Sequence, residues 1–168
     1  GYKSKDLIGI PWMLAFALRA DGWYLRQDII WNKPNPMPES VRDRCTKSHE
    51  YIFLLSKNQN YYFDIDAIKE PTRRKRSVWN IKKKPYKGAH FAVFPPELIE
   101  PCIKAGSEEG DIILDPFMGS GTTAMVAKIL NRDYIGCELH EKYGELIKDR
   151  VDDGLRRTGN IRTPLTTG

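Results

Sequence analysis

Hydrophobic residues in the first third of the chain follow patterns typical of one helix and several strands. Trp12–Leu18 is apolar and is followed by a polar Asp-Gly pair, which predicts a short helix and its end. Trp23–Trp31 and Glu50–Leu55 are rich in aromatic and β-branched residues, a composition typical of strands. A polar turn separates the second strand from Tyr61–Phe63, so we predict an antiparallel hairpin there.

The second half of the chain alternates between short apolar runs and amphipathic stretches. The predicted elements are a helix over Pro96–Ala105, a strand over Asp111–Asp115, a helix over Thr122–Leu130, a strand over Asp133–Glu138 and a helix from His140 to about Arg157. Such alternation predicts a parallel sheet with helices packed against it. The tail at 158–168 is polar and is expected to be frayed.

A basic segment, residues 65–89, lies between these two halves. Its lysines and arginines are interleaved with Trp79 and Tyr86, and its composition differs from that of both neighbours. We predict an inserted or mobile segment here, which divides the chain into regions at 1–64, 65–89, 90–157 and 158–168.

Composition restricts the classes of protein that are possible. The 168 residues are 40% hydrophobic and 29% charged, which predicts a soluble, folded domain. No apolar run reaches the roughly 20 residues that a membrane span needs, so no membrane partner is expected. A net charge of +5 is compatible with a polyanionic partner. The three cysteines form no C-x-x-C pair, so neither a disulfide framework nor a metal site is expected, and the compartment is predicted to be the reducing cytoplasm.

A glycine-rich turn between a strand and a helix carries the candidate chemistry. Gly119 and Gly121 allow positive φ and a close approach of a ligand to the backbone, and Ser120 or Thr122 can cap the following helix. Glu138 follows the next strand, where nucleotide-binding folds place an acid for ribose hydroxyls. We therefore favour a nucleoside ligand over an ordinary tight turn. The P-loop lysine is absent, whereas a nicotinamide or flavin cofactor remains open on the pattern alone.

The same residues resemble a known family. Asp115–Thr123 resembles the cofactor motif of S-adenosylmethionine-dependent DNA amino-methyltransferases, and His90–Ile99 is similar to the block that precedes this motif in their circularly permuted β-group. Ile135–Glu138 followed by Tyr143 resembles the next family motif. The resemblance extends from about Lys5 to Arg150.

The resemblance implies an α/β, Rossmann-like class I methyltransferase fold, mostly a parallel sheet with an antiparallel hairpin. It implies that S-adenosylmethionine is the cofactor and that the methyl group goes to the exocyclic amine of adenine or cytosine in DNA, by direct displacement. Residues 1–64 would belong to the catalytic half and 90–157 to the cofactor-binding half. The cofactor-binding residues it implies are His90, Phe91, Phe94, Pro95, Asp115, Phe117, Gly119, Ser120, Gly121, Thr122, Thr123 and Glu138.

The catalytic motif of the family is not found in this sequence. That motif is [Asp/Asn/Ser]-Pro-Pro-[Tyr/Phe], whereas the Pro95-Pro96 pair here belongs to the cofactor block. The strand that leads into the motif is central in the family's sheet, so we expect an incomplete sheet with exposed edges. We therefore assign no catalytic residue and expect a fragment or a split half that is inactive alone. Its expected partner is a missing N-terminal segment or a second half that carries the motif.

Double-stranded DNA is the partner that the resemblance and the basic charge together imply. Candidate DNA-binding residues lie in a proline-rich loop and in the basic segment: Lys33, Asn35, Arg42, Arg44, Lys47, Arg73, Arg74, Arg76, Lys82 and Lys83. The expected setting is a bacterial or phage-encoded restriction–modification system, in the cytoplasm and associated with the nucleoid. Two alternatives remain open at this point, a nicotinamide-binding oxidoreductase domain and a non-catalytic DNA-binding remnant.

Overall fold

The chain forms two compact units in a computed structural model that describes residues 1–83 and 93–159. The first unit comprises Gly1–Tyr61 and Arg76–Ile81, and the second comprises Tyr62–Lys75 and the described part of Lys82–Gly168. The chain therefore passes from one unit to the other and back within the segment predicted as an insertion.

A three-stranded sheet and one helix form the first unit. Its elements are helix α1 (Ile10–Ala20) and strands β1 (Tyr24–Asn32), β2 (His49–Ser56) and β3 (Val78–Asn80). The strand order is β2-β1-β3, with β1 antiparallel to β2 and parallel to β3. The central strand β1 is thus the predicted aromatic and β-branched run.

The predicted hairpin between Glu50–Leu55 and Tyr61–Phe63 is wrong. Strand β2 pairs instead with β1, with Ile29 opposite Ile52, and Tyr61–Phe63 forms no strand. The physical reason is the length of the apolar match, because β1 offers β2 a ladder along its whole length whereas Tyr61–Phe63 offers three residues. The main pairing of this unit is therefore antiparallel and connects strands that are distant in the sequence.

Aromatic side chains hold the first unit together. The Trp12 ring of α1 meets the rings of Tyr51 and Phe53 on β2, with centroids 5.4 and 4.9 Å apart. Trp31 and Trp79 are buried, and each indole N–H donates to a backbone carbonyl. Because Trp79 lies on β3, part of the basic segment belongs to this sheet. The role of residues 65–89 in target recognition stays a prediction.

The second unit has the predicted alternation of strands and helices. It contains a short 3-10 helix (Asp66–Ile68), α2 (Pro96–Gly106), β4 (Ile112–Asp115), α3 (Thr122–Ile129), β5 (Asp133–Gly136) and α4 (Lys142–Arg157). Strands β4 and β5 are parallel, as predicted, with Leu114 opposite Ile135. Within the described ranges, no helix has both the length and the apolar character of a membrane span.

Two adjoining clusters form the core of the second unit. Ile103 of α2 packs with Val126 and Ala127 of α3. Met118 of the turn packs with Ala124 of α3 and Val151 of α4. The three helices are therefore fixed around the turn that follows β4.

In the described ranges, one face of the β4–β5 sheet carries exposed apolar side chains. Ile112, Leu114 and Ile135 are exposed to 61%, 64% and 54%, although strands of a parallel sheet are normally buried on both faces. In the described part of the chain this sheet has two strands. An apolar surface of this kind marks a place where other polypeptide can pack.

Candidate functional site

The turn between β4 and α3 has the backbone conformation that its glycines predict. Gly119 has φ 54° and Gly121 has φ 82°, both in the left-handed region that favours glycine. The N–H of Gly121 donates to the carbonyl of Met118 at 3.0 Å and closes the turn. The prediction of positive φ at both glycines is therefore confirmed.

Glu138 lies against this turn and accepts hydrogen bonds from backbone N–H groups. The N–H of Gly119 donates to Oε2 at 2.8 Å, and the N–H of His140 donates to Oε1 at 3.0 Å. The hydrogen bond from His140 lowers the pKa of Glu138 most, the bonds from Gly119 and Leu139 lower it further, and desolvation opposes them. A charged carboxylate is thus held beside the glycines at neutral pH.

The Asp115 carboxylate connects the two ends of the turn by hydrogen bonds. It ends β4, and its Oδ1 accepts from the N–H of Phe117 at 2.9 Å while its Oδ2 accepts from the Thr123 hydroxyl at 2.6 Å. Each carboxylate oxygen therefore already has a partner within the turn. This side chain shapes the turn by joining the end of β4 to the start of α3.

The prediction that Ser120 or Thr122 caps helix α3 is wrong. Gly121 is the N-cap residue, and among the residues that the structure describes no side chain caps the helix. The Thr123 hydroxyl bonds instead to Asp115, and Ser120 Oγ accepts from Arg150. The first turn of α3 thus presents backbone N–H groups that no side chain caps, an arrangement suited to an anionic ligand group.

Helix α4 contacts the turn through residues that the sequence analysis missed. Arg150 donates through Nη1 to Ser120 Oγ and, at 3.4 Å, to the Ser120 carbonyl. A Cβ built on Gly121 would lie 3.1 Å from the side chain of Ile147. Neither residue belongs to a recognisable motif, since Arg150 is one of many charged residues along this helix.

Three side chains near the turn are open to solvent. Phe117 and Leu139 are 88% and 92% exposed, and Cys137 is also exposed. Phe117 belongs to the turn, while Cys137 and Leu139 flank Glu138 in the sequence. Exposed apolar side chains beside a charged carboxylate suit a ligand with both an apolar ring and hydroxyl groups.

The remaining predicted cofactor residues precede α2. His90 and Phe91 lie outside the described residues. Phe94 is half-buried, and Pro95 is buried at the N-cap position of α2. Pro95 therefore contributes to the start of this helix, whose next residue is also a proline.

Lys33 is placed differently from the expectation for a DNA-binding lysine. It is only 8% exposed, its ammonium is paired with Glu50, and it lies 4.7 Å from the centre of the Trp31 ring. A lysine that is buried and paired has little charge to offer a phosphate. Its burial follows from its position at the end of β1, where its aliphatic stem can cover an aromatic ring.

The other candidates in the proline-rich loop are on the surface. Arg42 and Arg44 line an open groove together with Lys5 and Asp43. Lys5 and Asp43 form an ion pair at 2.7 Å, and Arg44 pairs with Glu39. Asn35 and Lys47 are exposed.

The candidates in the basic segment are exposed as well. Arg73 pairs with Glu70 at 2.5 Å, a contact within the segment. The further exposed cations are Arg74, Arg76, Lys82 and Lys83. Their contact with DNA stays a prediction.

The lowered pKa of Glu138 leads to an expectation for stability as a function of pH. The Glu138 carboxylate contributes fully to the free energy of unfolding above its ordinary pKa of 4.5. This contribution is lost as the pH falls through the lower pKa that the group has in the folded chain. We expect the difference between the wild-type chain and Glu138→Gln to be constant from about pH 7 to about pH 5.5 and to change below pH 4.5. Urea unfolding at several pH values measures this difference. A change that begins above about pH 6 would contradict the assignment.

The strand–turn–helix–strand arrangement and the acid beside its turn define an α/β domain of the Rossmann-like class, in which such turns bind nucleosides. The profile of a family described as DNA methylase matches residues 3–149. The chain therefore belongs to the DNA methylase family.

Two type II methyltransferases are similar in sequence to this chain. The type II methyltransferase M.SmaI of Serratia marcescens is 58% identical over 164 residues, which are 94% of this chain and 55% of that protein. The type II methyltransferase M.XycI of Xanthomonas campestris pv. cyanopsidis is 56% identical over 156 residues, which are 90% of this chain and 52% of that protein. The chain thus spans about half the length of these relatives.

A solved structure shares the fold of this chain. The crystal structure of the M1.HpyAVI-SAM complex matches with a TM-score of 0.70 and 30% sequence identity, covering 86% of this chain and 71% of that one. The predicted α/β fold of the class I methyltransferases is therefore confirmed.

Proposed function

We propose that this chain is the cofactor-binding part of a DNA methyltransferase that transfers a methyl group from S-adenosylmethionine to the exocyclic amine of adenine or cytosine. The observation that carries the proposal is the contact between the Glu138 carboxylate and the N–H of Gly119, at 2.8 Å across the glycine turn. This contact supports the proposal, because nucleotide-binding folds use an acid at this position to accept hydrogen bonds from ribose hydroxyls. Membership of the DNA methylase family and the names of the relatives support the same activity.

The residues around the turn fit the chemical groups of S-adenosylmethionine. Glu138 has the charge to accept hydrogen bonds from the ribose, and the exposed Phe117 and Leu139 would offer apolar surface to the cofactor. The uncapped start of α3 suits the carboxylate of the methionine part. Asp115 would supply negative charge for the cofactor's ammonium, while its hydrogen bonds hold the turn in shape.

Bound there, the cofactor supplies an electrophilic methyl group on a sulfonium. The part of the protein described here holds and orients that group, which is a large share of what a direct displacement requires. We propose that the flipped base is held by a [Asp/Asn/Ser]-Pro-Pro-[Tyr/Phe] loop on another segment or on a second half of the enzyme. The exposed row of Ile112, Leu114 and Ile135 supports such a segment, because it offers an apolar surface against which the segment can pack.

Double-stranded DNA is the proposed substrate. The exposed cations of the proline-rich loop and of the basic segment support contacts to phosphates, with Arg42 and Lys47 in the first region and Arg74 and Lys82 in the second. Lys33 would act through its pair with Glu50, by fixing the start of the loop. The proposed setting is a restriction–modification system in a bacterial cytoplasm, which the type II relatives support.

Calorimetry with two ligands tests the cofactor proposal. The chain is expected to bind S-adenosylhomocysteine, which has the groups of the cofactor except the transferred methyl, and to bind NAD much more weakly. A chain that binds NAD and not S-adenosylhomocysteine would be an oxidoreductase domain, and the proposal would be wrong.

Cysteine alkylation gives a second test with controls inside the same chain. Cys45 and Cys137 are exposed, whereas burial raises the pKa of the Cys102 thiol to about 11. We expect iodoacetamide to modify Cys45 and Cys137 quickly and Cys102 slowly, as measured by mass spectrometry. S-adenosylhomocysteine should slow the modification of Cys137, up to about tenfold at 90% occupancy, and leave that of Cys45 unchanged. Equal rates at Cys137 with and without the ligand would contradict the proposed site.

A further inference from the structure

We propose that Arg150 is a positioning residue that sets the orientation of the Ser120 peptide and thereby the shape of the cofactor turn. The expected effect on cofactor binding rests on the proposed function. The contact between Arg150 and Ser120 is present without any ligand. Arg150 lies on α4 and bonds to both the hydroxyl and the carbonyl of Ser120.

The Ser120 carbonyl needs this partner. Residue Ser120 is buried, and the first helical hydrogen bond of α3 goes from Met125 to the carbonyl of Gly121, one residue further along. Among the described contacts, the acceptor at Ser120 is therefore served by Arg150 alone. A buried carbonyl that loses its donor is costly. Among the described contacts, the same peptide would then be held through the Gly121 N–H, which donates to the Met118 carbonyl, and it would rotate more easily.

The peptide of Ser120 lies between the two functional ends of the turn. On one side, the N–H of Gly119 donates to Glu138, the proposed ribose acceptor. On the other side, Gly121 is the N-cap residue of α3, whose N–H groups are proposed to face the methionine carboxylate. A rotation of the Ser120 peptide would therefore disturb both groups that hold the cofactor.

Helix α4 is well placed to hold Arg150 steady. Val151, the next residue, is buried in the core with Met118 and Ala124. One turn before Val151, the Ile147 side chain lies against Gly121. One turn after Val151, a Cβ built on Gly154 would lie 2.5 Å from the Met125 side chain, so α4 packs closely against α3 there. Residues 147, 150, 151 and 154 form one face of the helix, and Arg150 is the charged member of that face.

Variants at both ends of this contact test the inference. The variants are Arg150→Met, Arg150→Lys, Ser120→Ala and the Ser120→Ala/Arg150→Met double variant. Arg156→Met is the matched control, because Arg156 is an exposed arginine on the same helix that pairs with Asp153. The measurements are the Kd for S-adenosylhomocysteine by calorimetry, at a temperature where circular dichroism shows each variant folded, and amide hydrogen exchange of residues 117–123 without ligand.

The variants are expected to weaken ligand binding to different degrees. Arg150→Met should raise the Kd about tenfold and speed amide exchange in the turn by a similar factor, whereas Arg150→Lys, which keeps one donor, should raise the Kd about threefold. The double variant should bind no more weakly than Arg150→Met alone, because the Ser120 hydroxyl acts through its bond to Arg150. Arg156→Met should match the wild type in both measurements.

The outcomes separate this inference from the proposed function. If Arg150→Met binds the ligand as well as Arg156→Met does, the inference is wrong, since a purely structural role would lower only the melting temperature. A weaker Kd with unchanged exchange also overturns it, because that result indicates direct ligand contact. If the wild-type chain does not bind the ligand, the proposed function fails, and exchange in the free turn alone decides the role of Arg150.

Discussion

Replacing Glu138 with alanine is expected to weaken the binding of S-adenosylhomocysteine on the order of 100-fold. The substitution removes the charged acceptor proposed for the ribose and also releases the N–H of Gly119, which the carboxylate now holds at 2.8 Å. Hydrogen bonds to charged groups are the strong ones, so this is the largest single loss that the site predicts. Glu138→Gln keeps one acceptor and should lose about tenfold. Calorimetry at pH 7.5 and low temperature measures both.

Glu141→Ala is the control for this measurement. Glu141 is an exposed glutamate three residues further along, and its side chain does not cap α4. It should bind the ligand within twofold of the wild type. If Glu138→Ala also stays within twofold, the proposed ribose contact is wrong, even if the chain binds the ligand.

Gly121→Ala is expected to destabilise the second unit by about 3 kcal/mol. The φ of 82° is in the left-handed region, which costs alanine about 1 kcal/mol or more. The new Cβ would also lie 3.1 Å from the Ile147 side chain and 3.2 Å from its Cα, so α4 itself would have to move. Urea unfolding followed by far-UV circular dichroism at 222 nm measures the loss, because this unit contains α2, α3 and α4.

Gly144→Ala provides a matched comparison for this substitution. Gly144 lies inside α4, has ordinary φ, and has open space where a Cβ would stand. Alanine there should stabilise the chain by about 1 kcal/mol, because glycine is the poorer helix former. Equal effects of the two substitutions would mean that neither strain nor contact with Ile147 constrains the turn.

The second unit could be predicted from sequence because its contacts are local. Strands β4 and β5 are each followed by their own helix, and a glycine-rich turn marks the change from β4 to α3. The predicted and observed bounds of β4 and α3 differ by one residue at one end of each. In the first unit, a long proline-rich loop separates β1 from β2 in the sequence, although the two strands pair. A prediction that pairs neighbouring apolar runs therefore assigns β2 to Tyr61–Phe63, which is wrong.

Part of the candidate site also follows from the sequence, and part depends on packing between elements. The spacing from Gly119 to Glu138 follows from the geometry of one strand–helix–strand unit, and the structure brings the two together. The Arg150 contact and the burial of Lys33 depend on side-chain packing between elements, which a charge pattern does not encode. The cap of α3 was mispredicted because the hydroxyls near it found partners in β4 and α4 instead.

The distribution of indole rings has a consequence for spectroscopy. The four tryptophans of the chain, at positions 12, 23, 31 and 79, all belong to the first unit. Emission excited at 295 nm therefore reports on that unit, whereas the helical signal at 222 nm comes largely from the other one. Transition midpoints that coincide by the two signals would show that both halves of the chain melt as one cooperative system, and midpoints that differ would give the stability of each half separately.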